Sequence, residues 1–521
     1  MPVWMTLTLL GVGTVVLRVP FLTPRLAHWD AVNYALGLHD FNVAAHQPHP
    51  PGSPYFILLG RAALGVLGDD NAALILVSVL ASVGAVLGEY ALARLAFGRR
   101  AGLLAALVLT TQPVFWGYGT MGMPWTLLAC LAVTVGLACH ALVRGHRGLV
   151  LPSALLVGIA SGFRLEVTVF LAPLWVWAVW IAESSPRRRL LTLAVVPACV
   201  LVWLVPVAAS GGGLTPWSER MLAMFLPTDA SPGPVARQLA SNTAISFGTL
   251  AFTLGPAVAL ALVCDWRAAL RWTRTTLSAR SGMFWALWSV PAFVFLWLVD
   301  STEPGHDLVF SVALVALAAG LIVATARSVP RLILCGGLLV GAQVAVFLYA
   351  APQFDRPLAW TANSMLLNVT APGLRLQQGS LDDALQTIRR QFDPRDTAIV
   401  TVIGQDPYRF MMYYLPDYVV VRLDPVGKSV LTAADRRQGT WQQPADCLFE
   451  SAAIRHAVWV LAARSEPGIV PSDAVRVSSA DNVGPFEVWD VRPGPDTPDY
   501  LGFKIGGACT SAARIADVSQ G

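Results

Sequence analysis

Long apolar segments constrain this chain more than any other feature. A run of about 20 apolar residues is long enough to cross the hydrocarbon core of a bilayer as a helix. Hydrophobic residues make up 55% of the sequence and charged residues only 13%, which excludes a water-soluble fold for most of the chain. We predict a mainly α-helical, polytopic membrane protein with about eleven transmembrane helices. The predicted spans are residues 2–21, 72–97, 101–118, 125–142, 149–162, 167–181, 190–209, 245–263, 283–299, 308–324 and 332–350.

Arginines between these segments predict the orientation. Arginines collect on cytoplasmic loops, so they should fall on alternate connections if the spans are assigned correctly. They do, at Arg99 and Arg100, Arg144 and Arg147, residues 187–189, residues 267–280, and Arg327 and Arg331. We therefore predict a protein of the plasma (inner) membrane with a cytoplasmic amino terminus. The first span lacks the features of a cleaved signal, so we interpret it as a retained helix.

A change in composition near Gln353 predicts a domain boundary. Residues 1–352 form the predicted membrane domain, and residues 353–521 form a small extracytoplasmic α/β domain. Helical spacing at 381–391 and β-rich runs at 398–403, 418–422, 457–461 and 487–491 support the second assignment. That domain contains no phosphate-binding glycine loop or nucleophile elbow, so we expect it to help bind an acceptor. Whether Cys447 and Cys509 pair stays open.

The predicted first outer loop, residues 22–71, contains the most concentrated chemistry. Acidic and imidazole side chains at a membrane surface indicate a functional site. Asp30 is the candidate general base, because an acid at a helix end can accept a proton from a hydroxyl group. The alternative is that Asp30 only caps a helix over residues 31–38, a common role of aspartate.

The remaining polar residues of this loop are further substrate-site candidates. His39 and Asp40 are adjacent, so they would not face each other on a helix. His46 and His49 have nearly the spacing of metal ligands, but the neighbouring prolines favour an extended backbone and a third ligand is missing. We predict no metal site, and a role for a divalent cation stays open.

Three short motifs carry a resemblance to a known family. Asp30 is followed by the segment HPPGSP at residues 49–54, and the chain also contains GFRLE at 162–166 and EPGH at 303–306. With the pattern of spans, these motifs resemble the bacterial protein O-mannosyltransferase-like branch of the C-type glycosyltransferases. The resemblance covers residues 1–350 and is weak beyond them.

The resemblance implies a function and a set of partners. Such enzymes transfer a sugar from a polyprenyl-phosphate donor, using an acid in the first outer loop, which corresponds to Asp30. The acceptor would be a hydroxyl group of a glycan, lipid or protein in the cell envelope. In many members a second acidic residue directly follows this acid, whereas in this chain Ala31 follows Asp30. The difference weakens any metal-binding role that depends on an acidic pair. We predict no cofactor, and the small net charge of +4 with arginines in short clusters does not indicate a nucleic-acid partner.

A departing lipid phosphate needs positive charge or hydrogen-bond donors nearby. Arg164 and His306 are the candidates, with Glu166 and Glu303 as neighbouring site residues. The alternatives are an arginine that extends from a helix end into water and a histidine in a solvated connection. Trp116, Trp125 and Trp217 are interpreted as an aromatic belt at the membrane surface, with sugar stacking as the alternative.

Two other function classes stay open. A transporter should show paired halves and ionisable groups near mid-membrane, and the sequence has no convincing internal repeat. A non-catalytic scaffold that presents the carboxy-terminal domain would leave the polar first loop unexplained.

Overall fold

The computed structural model describes residues 2–225, 232–299, 303–352, 363–402, 407–424, 429–435, 439–444, 454–461, 474–478 and 486–492. The helices, in chain order, are α1 (Val3–Arg18), α2 (Trp29–His39), α3 (Pro54–Leu67), α4 (Asp70–Phe97), α5 (Arg99–Thr111), α6 (Pro113–Tyr118), α7 (Trp125–Val143), α8 (Val150–Phe163), α9 (Leu165–Ala182), α10 (Pro186–Ser210), α11 (Leu214–Phe225), α12 (Pro232–Thr276), α13 (Ala279–Leu298), α14 (Leu308–Thr325), α15 (Val329–Tyr349), α16 (Asn363–Asn368), α17 (Ala371–Gln391) and α18 (Pro407–Tyr414). The strands are β1 (Thr397–Val402), β2 (Val419–Asp424), β3 (Ser429–Asp435), β4 (Gly439–Pro444), β5 (His456–Leu461), β6 (Val475–Arg476) and β7 (Glu487–Val491).

Within these described ranges, nine helices are long and apolar enough to cross a membrane. The predicted fold class, a mainly α-helical membrane protein with a small α/β part, is confirmed. Two predicted spans correspond to shorter helices. Residues 101–118 are divided into α5 and α6, because Pro113 has no backbone N–H to continue a helix and begins a new one. Residues 149–162 correspond to α8, which has 14 residues.

The chain divides into two compact units. The first contains residues 1–23 and 50–373, and the second contains residues 24–49 and 374–521. The predicted outer loop, residues 22–71, is therefore shared between the units. The predicted domain boundary near Gln353 stays a prediction.

The first unit is built around α14, the most buried of its long apolar helices, in which 83% of the residues are buried. Small residues allow the helices to approach closely, as is usual in membrane proteins. Gly136 of α7 is one example, because a Cβ atom at this position would overlap the indole ring of Trp288. The Trp288 ring in turn donates a hydrogen bond of 2.9 Å to the backbone oxygen of Val309 on α14.

The second unit contains one sheet, whose described strands lie in the order β4-β3-β2-β1-β5-β7-β6. β1 is parallel to both β2 and β5, and the outer pairs are antiparallel. Its buried core includes Val400, Val421 and Trp459. The four predicted strands correspond to β1, β2, β5 and β7. Cys447 and Cys509 lie outside the described residues.

The first-loop segment, defined here as residues 24–49, is part of this second unit. Its helix α2 packs against α18. After α2 the backbone forms a short turn in which Asn42 and Gln47 pair as an isolated β-bridge, and His46 takes a left-handed conformation. The turn brings the proline-rich residues back against α2. Gly37 permits this contact, because a Cβ atom there would lie 2.9 Å from the Pro48 ring.

Candidate active site

Asp30 lies in the first turn of α2, but the residue that caps this helix is His28. The His28 Nδ1 atom accepts a hydrogen bond of 3.1 Å from the backbone N–H of Asp30. The alternative that Asp30 is only a helix cap is therefore wrong. The Asp30 carboxylate contacts His49, and the Asp30 side chain is 17% exposed.

The carboxylate of Asp30 is held by neighbours from both ends of the first-loop segment. Oδ1 lies 3.1 Å from His49 Nδ1 and 3.4 Å from the amide nitrogen of Asn33, while Oδ2 lies 4.0 Å from His28 Nδ1. The His49 ring also packs against Tyr34, with ring centroids 5.4 Å apart. These contacts fix the position of an acid that still reaches solvent.

The other candidate residues of this loop lie at the end of α2 and in the turn that follows it. His39 is the last residue of α2 and is exposed, and Asp40 follows it in an extended conformation. The His46 ring lies edge-on to Trp29, with centroids 6.5 Å apart. His28 was missed from the sequence, because histidine is not among the residues preferred at helix amino termini.

A second polar cluster lies in the first unit, where Arg164 separates α8 from α9. Arg164 forms an ion pair with Glu166 in the first turn of α9, and the same Glu166 oxygen lies 3.5 Å from His306 Nδ1. The Arg164 side chain is only 3% exposed. An arginine that extends into water from a helix end would be exposed, so that alternative does not describe Arg164.

Trp125 forms the platform of this cluster. The Arg164 guanidinium lies over its indole ring at 4.1 Å, and the His306 ring centroid lies 4.3 Å away. Trp125 is 2% exposed, so the interpretation of this residue as part of an aromatic belt is wrong. Gly305 packs on the same ring, where a Cβ atom would overlap the indole. The sequence placed Trp125 near a helix end but gave no sign of the cation above it.

Two further contacts fix the connection that contains His306. The Tyr118 hydroxyl donates a hydrogen bond of 2.6 Å to Glu303. Asp307 is fully buried and accepts a bond of 2.6 Å from the Thr249 hydroxyl. Burial raises the pKa of Asp307, which lies just before α14, to about 7. Asp307 was missed, although an acid directly before an apolar run is an available signal.

Metal ligation is the other chemistry that these residue types can perform. In the part of the chain that the structure describes, no group of three or more histidine, cysteine, aspartate and glutamate side chains could hold a metal ion. Asp30 is followed by Ala31, and the nearest His49 nitrogen is engaged with Asp30 itself. We derive no step through a metal.

Comparison with known proteins identifies the fold. Residues 48–209 match the family described as dolichyl-phosphate-mannose-protein mannosyltransferase. The crystal structure of ArnT from Cupriavidus metallidurans in the apo state matches with a TM-score of 0.58 at 16% identity, covering 94% of this chain and 97% of that chain. The chain has the fold of ArnT. The structure of ArnT bound to undecaprenyl phosphate gives a TM-score of 0.57 at 15% identity, covering 93% and 96% of the two chains.

These matches confirm the predicted resemblance to the mannosyltransferase-like branch. The matched family range begins at Pro48 and contains the HPPGSP segment, Arg164 and Glu166. The prediction of an integral membrane protein is confirmed as well. A comparison with curated proteins finds no match.

Proposed function

We propose that this protein transfers a sugar from a polyprenyl-phosphate donor to an acceptor hydroxyl group, with Asp30 as the general base. The observation that carries the proposal is the contact between Asp30 and His49, which fixes a partly exposed carboxylate beside the first residues of the family match. The undecaprenyl phosphate bound to ArnT supports the class of donor. The acceptor is a glycan, lipid or protein hydroxyl group.

Asp30 acts on the acceptor. Its carboxylate takes the proton of the hydroxyl group while the hydroxyl oxygen attacks the anomeric carbon of the sugar. The bond between that carbon and the phosphate oxygen breaks, and polyprenyl phosphate leaves with the bonding electrons. His49 and Asn33 hold the carboxylate, so that little reorganisation is needed during the reaction.

Arg164 and His306 act on the donor. The phosphate gains charge as it departs, and a guanidinium group provides paired N–H donors that match phosphate oxygens. Arg164 is buried on Trp125 and already pairs with the Glu166 carboxylate, so its guanidinium is preorganised for an anion. We assign the donor phosphate to Arg164 and His306, with Glu166 orienting these two side chains and Glu303 holding the segment that contains His306.

We also propose the orientation given by the arginine pattern. The amino terminus lies in the cytoplasm, the first outer loop and residues 353–521 lie outside, and the protein resides in the plasma (inner) membrane. Reporter fusions test this orientation, as described below.

The decisive experiment uses purified full-length protein in lipid nanodiscs. Polyprenyl phosphates that carry different hexoses or pentoses are supplied, and release of lipid phosphate is measured with and without envelope glycans, lipids or peptides. We expect release that depends on both one donor and one acceptor. Repeating the assay with a chelator tests the divalent cation. Transport of the intact donor without release of lipid phosphate would contradict the proposal.

A further inference from the structure

Four contacts join the first-loop segment to residues more than 300 positions later in the chain. Arg25 forms an ion pair with Asp382, and its backbone N–H donates to Gln378 at 3.0 Å. The backbone N–H of Leu26 donates to the Tyr414 hydroxyl at 2.8 Å. The Arg409 guanidinium donates to the backbone oxygen of Ala45 at 2.7 Å. All of these residues belong to the second compact unit.

The contacts are placed on both sides of the proposed catalytic acid. Arg25 and Leu26 are held a few residues before Asp30, and Ala45 is held a few residues before His49. Helix α2, which starts beside Asp30, packs along α18, the helix that carries Arg409 and Tyr414. The two ends of the segment therefore converge on Asp30 while both are attached to the same helix of the carboxy-terminal region.

Arg409 is the most unusual of these attachments. Its side chain lies in the interior, with 4% of the residue exposed, and burial lowers its pKa to about 10. A buried guanidinium that donates to a buried carbonyl makes a strong bond, and its loss leaves the carbonyl without its donor. That carbonyl belongs to the short turn at residues 43–45, which leads into the left-handed His46 and on to His49.

We infer that Arg409 is a positioning residue for catalysis: it holds the turn at residues 43–47 and thereby keeps His49 against Asp30. The carboxy-terminal region then sets the geometry of the catalytic acid, which is a different role from the predicted binding of acceptor. This inference rests on the proposed function of Asp30.

The test compares Arg409→Met with Arg476→Met in the full-length protein. Both changes remove a guanidinium group from the same unit, but Arg476 lies on β6 and pairs with Glu487 on β7. We expect Arg409→Met to lower kcat roughly 10- to 100-fold, the cost of a small misplacement of a catalytic group, while KM for the donor changes little. Arg409→Lys should recover part of the loss, and Arg476→Met should stay within about twofold of wild type.

A double-mutant cycle separates positioning from general stabilisation. If Arg409 acts through His49, adding Arg409→Met to His49→Gln should cost little more than His49→Gln alone, because contacts that work as a unit are not additive. When Arg476→Met is added to His49→Gln, the losses of kcat from the two substitutions should simply add. Full additivity of Arg409→Met and His49→Gln would overturn the inference.

Two further outcomes keep the alternatives apart. Arg409→Met within about twofold of wild type, with Asp30→Asn inactive, would reject the positioning role and leave the proposed function intact. Asp30→Asn at wild-type activity would reject the proposed function itself. If Arg409→Met does not fold, Arg409→Lys tests the same contact, since a single ammonium group holds the Ala45 carbonyl less well, and its smaller loss of kcat should show the same non-additivity with His49→Gln.

Discussion

A carboxylate that takes a proton from an alcohol must be held at a fixed position, and the proposed base of this protein, Asp30, is held by an imidazole. Asp30 lies 3.1 Å from His49 Nδ1, and the residue after Asp30 is an alanine. The acid is therefore fixed by a ring that returns from the far end of the same loop. In the proposed mechanism one carboxylate is the general base and His49 orients it.

Asp30→Asn keeps the size of the side chain and removes the base. We expect turnover to fall by roughly 10²–10⁴-fold, the usual contribution of a general base, while binding of the lipid-linked sugar changes much less. Release of lipid phosphate under saturating donor measures this. Asp69→Asn is a matched control, because Asp69 caps α4 by accepting from the Ala72 N–H, a role that asparagine fills as well. Wild-type turnover of correctly inserted Asp30→Asn would contradict the assignment.

Asp307 gives the protein a specific dependence of stability on pH. Its pKa is about 7 in the folded state, whereas the ordinary pKa of an exposed aspartate carboxyl is 3.8, so between these values the folded state holds a proton that the unfolded state has lost. Stability from this group should therefore fall as pH rises from about 4 to about 7, by up to ~1.4 kcal/mol per pH unit.

Asp307→Asn replaces the titrating group with a neutral amide, so the change in thermal stability between pH 5 and pH 7 should become smaller in the variant. Thermal unfolding of detergent-solubilised protein at both pH values measures this, with wild type as reference. Identical pH dependence in the two proteins would show that Asp307 does not titrate in this range.

Residues 303–307, which lead into α14, are fixed at three points. Glu303 is bound by Tyr118, Gly305 rests on the Trp125 ring, and Asp307 is bound by Thr249 of α12. His306 lies between these points and so has a defined position against Glu166. The position of His306 in the EPGH motif thus depends on Tyr118, Trp125 and Thr249.

Gly305→Ala should disturb this arrangement, because the new Cβ atom meets the rigid and buried indole of Trp125. We expect KM for the donor to rise about tenfold through displacement of His306, with a smaller change in acceptor use. Steady-state kinetics with varied donor measures the effect. Gly337→Ala is the control, since a Cβ atom there meets no neighbour within 4 Å. A donor KM equal to that of the control would contradict the positioning of His306 by this connection.

The orientation of the chain in the membrane is the first property to test. A periplasmic reporter such as alkaline phosphatase fused after Ala350 should be active, and the same reporter fused after Arg100 should be inactive. A cytoplasmic reporter should give the reverse pattern. Activity of the periplasmic reporter after Arg100 would invert the orientation and move the first loop to the cytoplasm.

The sequence predicted the long membrane helices and four strands because these depend on local pattern. Apolar length gives spans such as α14, and β-branched runs give strands such as β1. It did not predict that Arg164 stacks on Trp125, or that Arg25 pairs with Asp382, because such contacts depend on which distant segments meet. Asp30 was predicted as a site residue from its position beside a helix, whereas the burial of Asp307 and its bond with Thr249 depend on the surrounding packing.

The pairing of Arg25 with Asp382 also sets the order of events during synthesis. The two residues are 357 positions apart, which at ordinary translation rates is on the order of 20 to 70 s. Throughout that interval the ribosome has delivered the proposed catalytic acid but not the helices that hold its loop. A chain that ends between residues 350 and 370 would thus contain Asp30 and all nine described helices that are long enough to span a membrane, yet lack the helices α17 and α18 that hold the loop around the proposed acid.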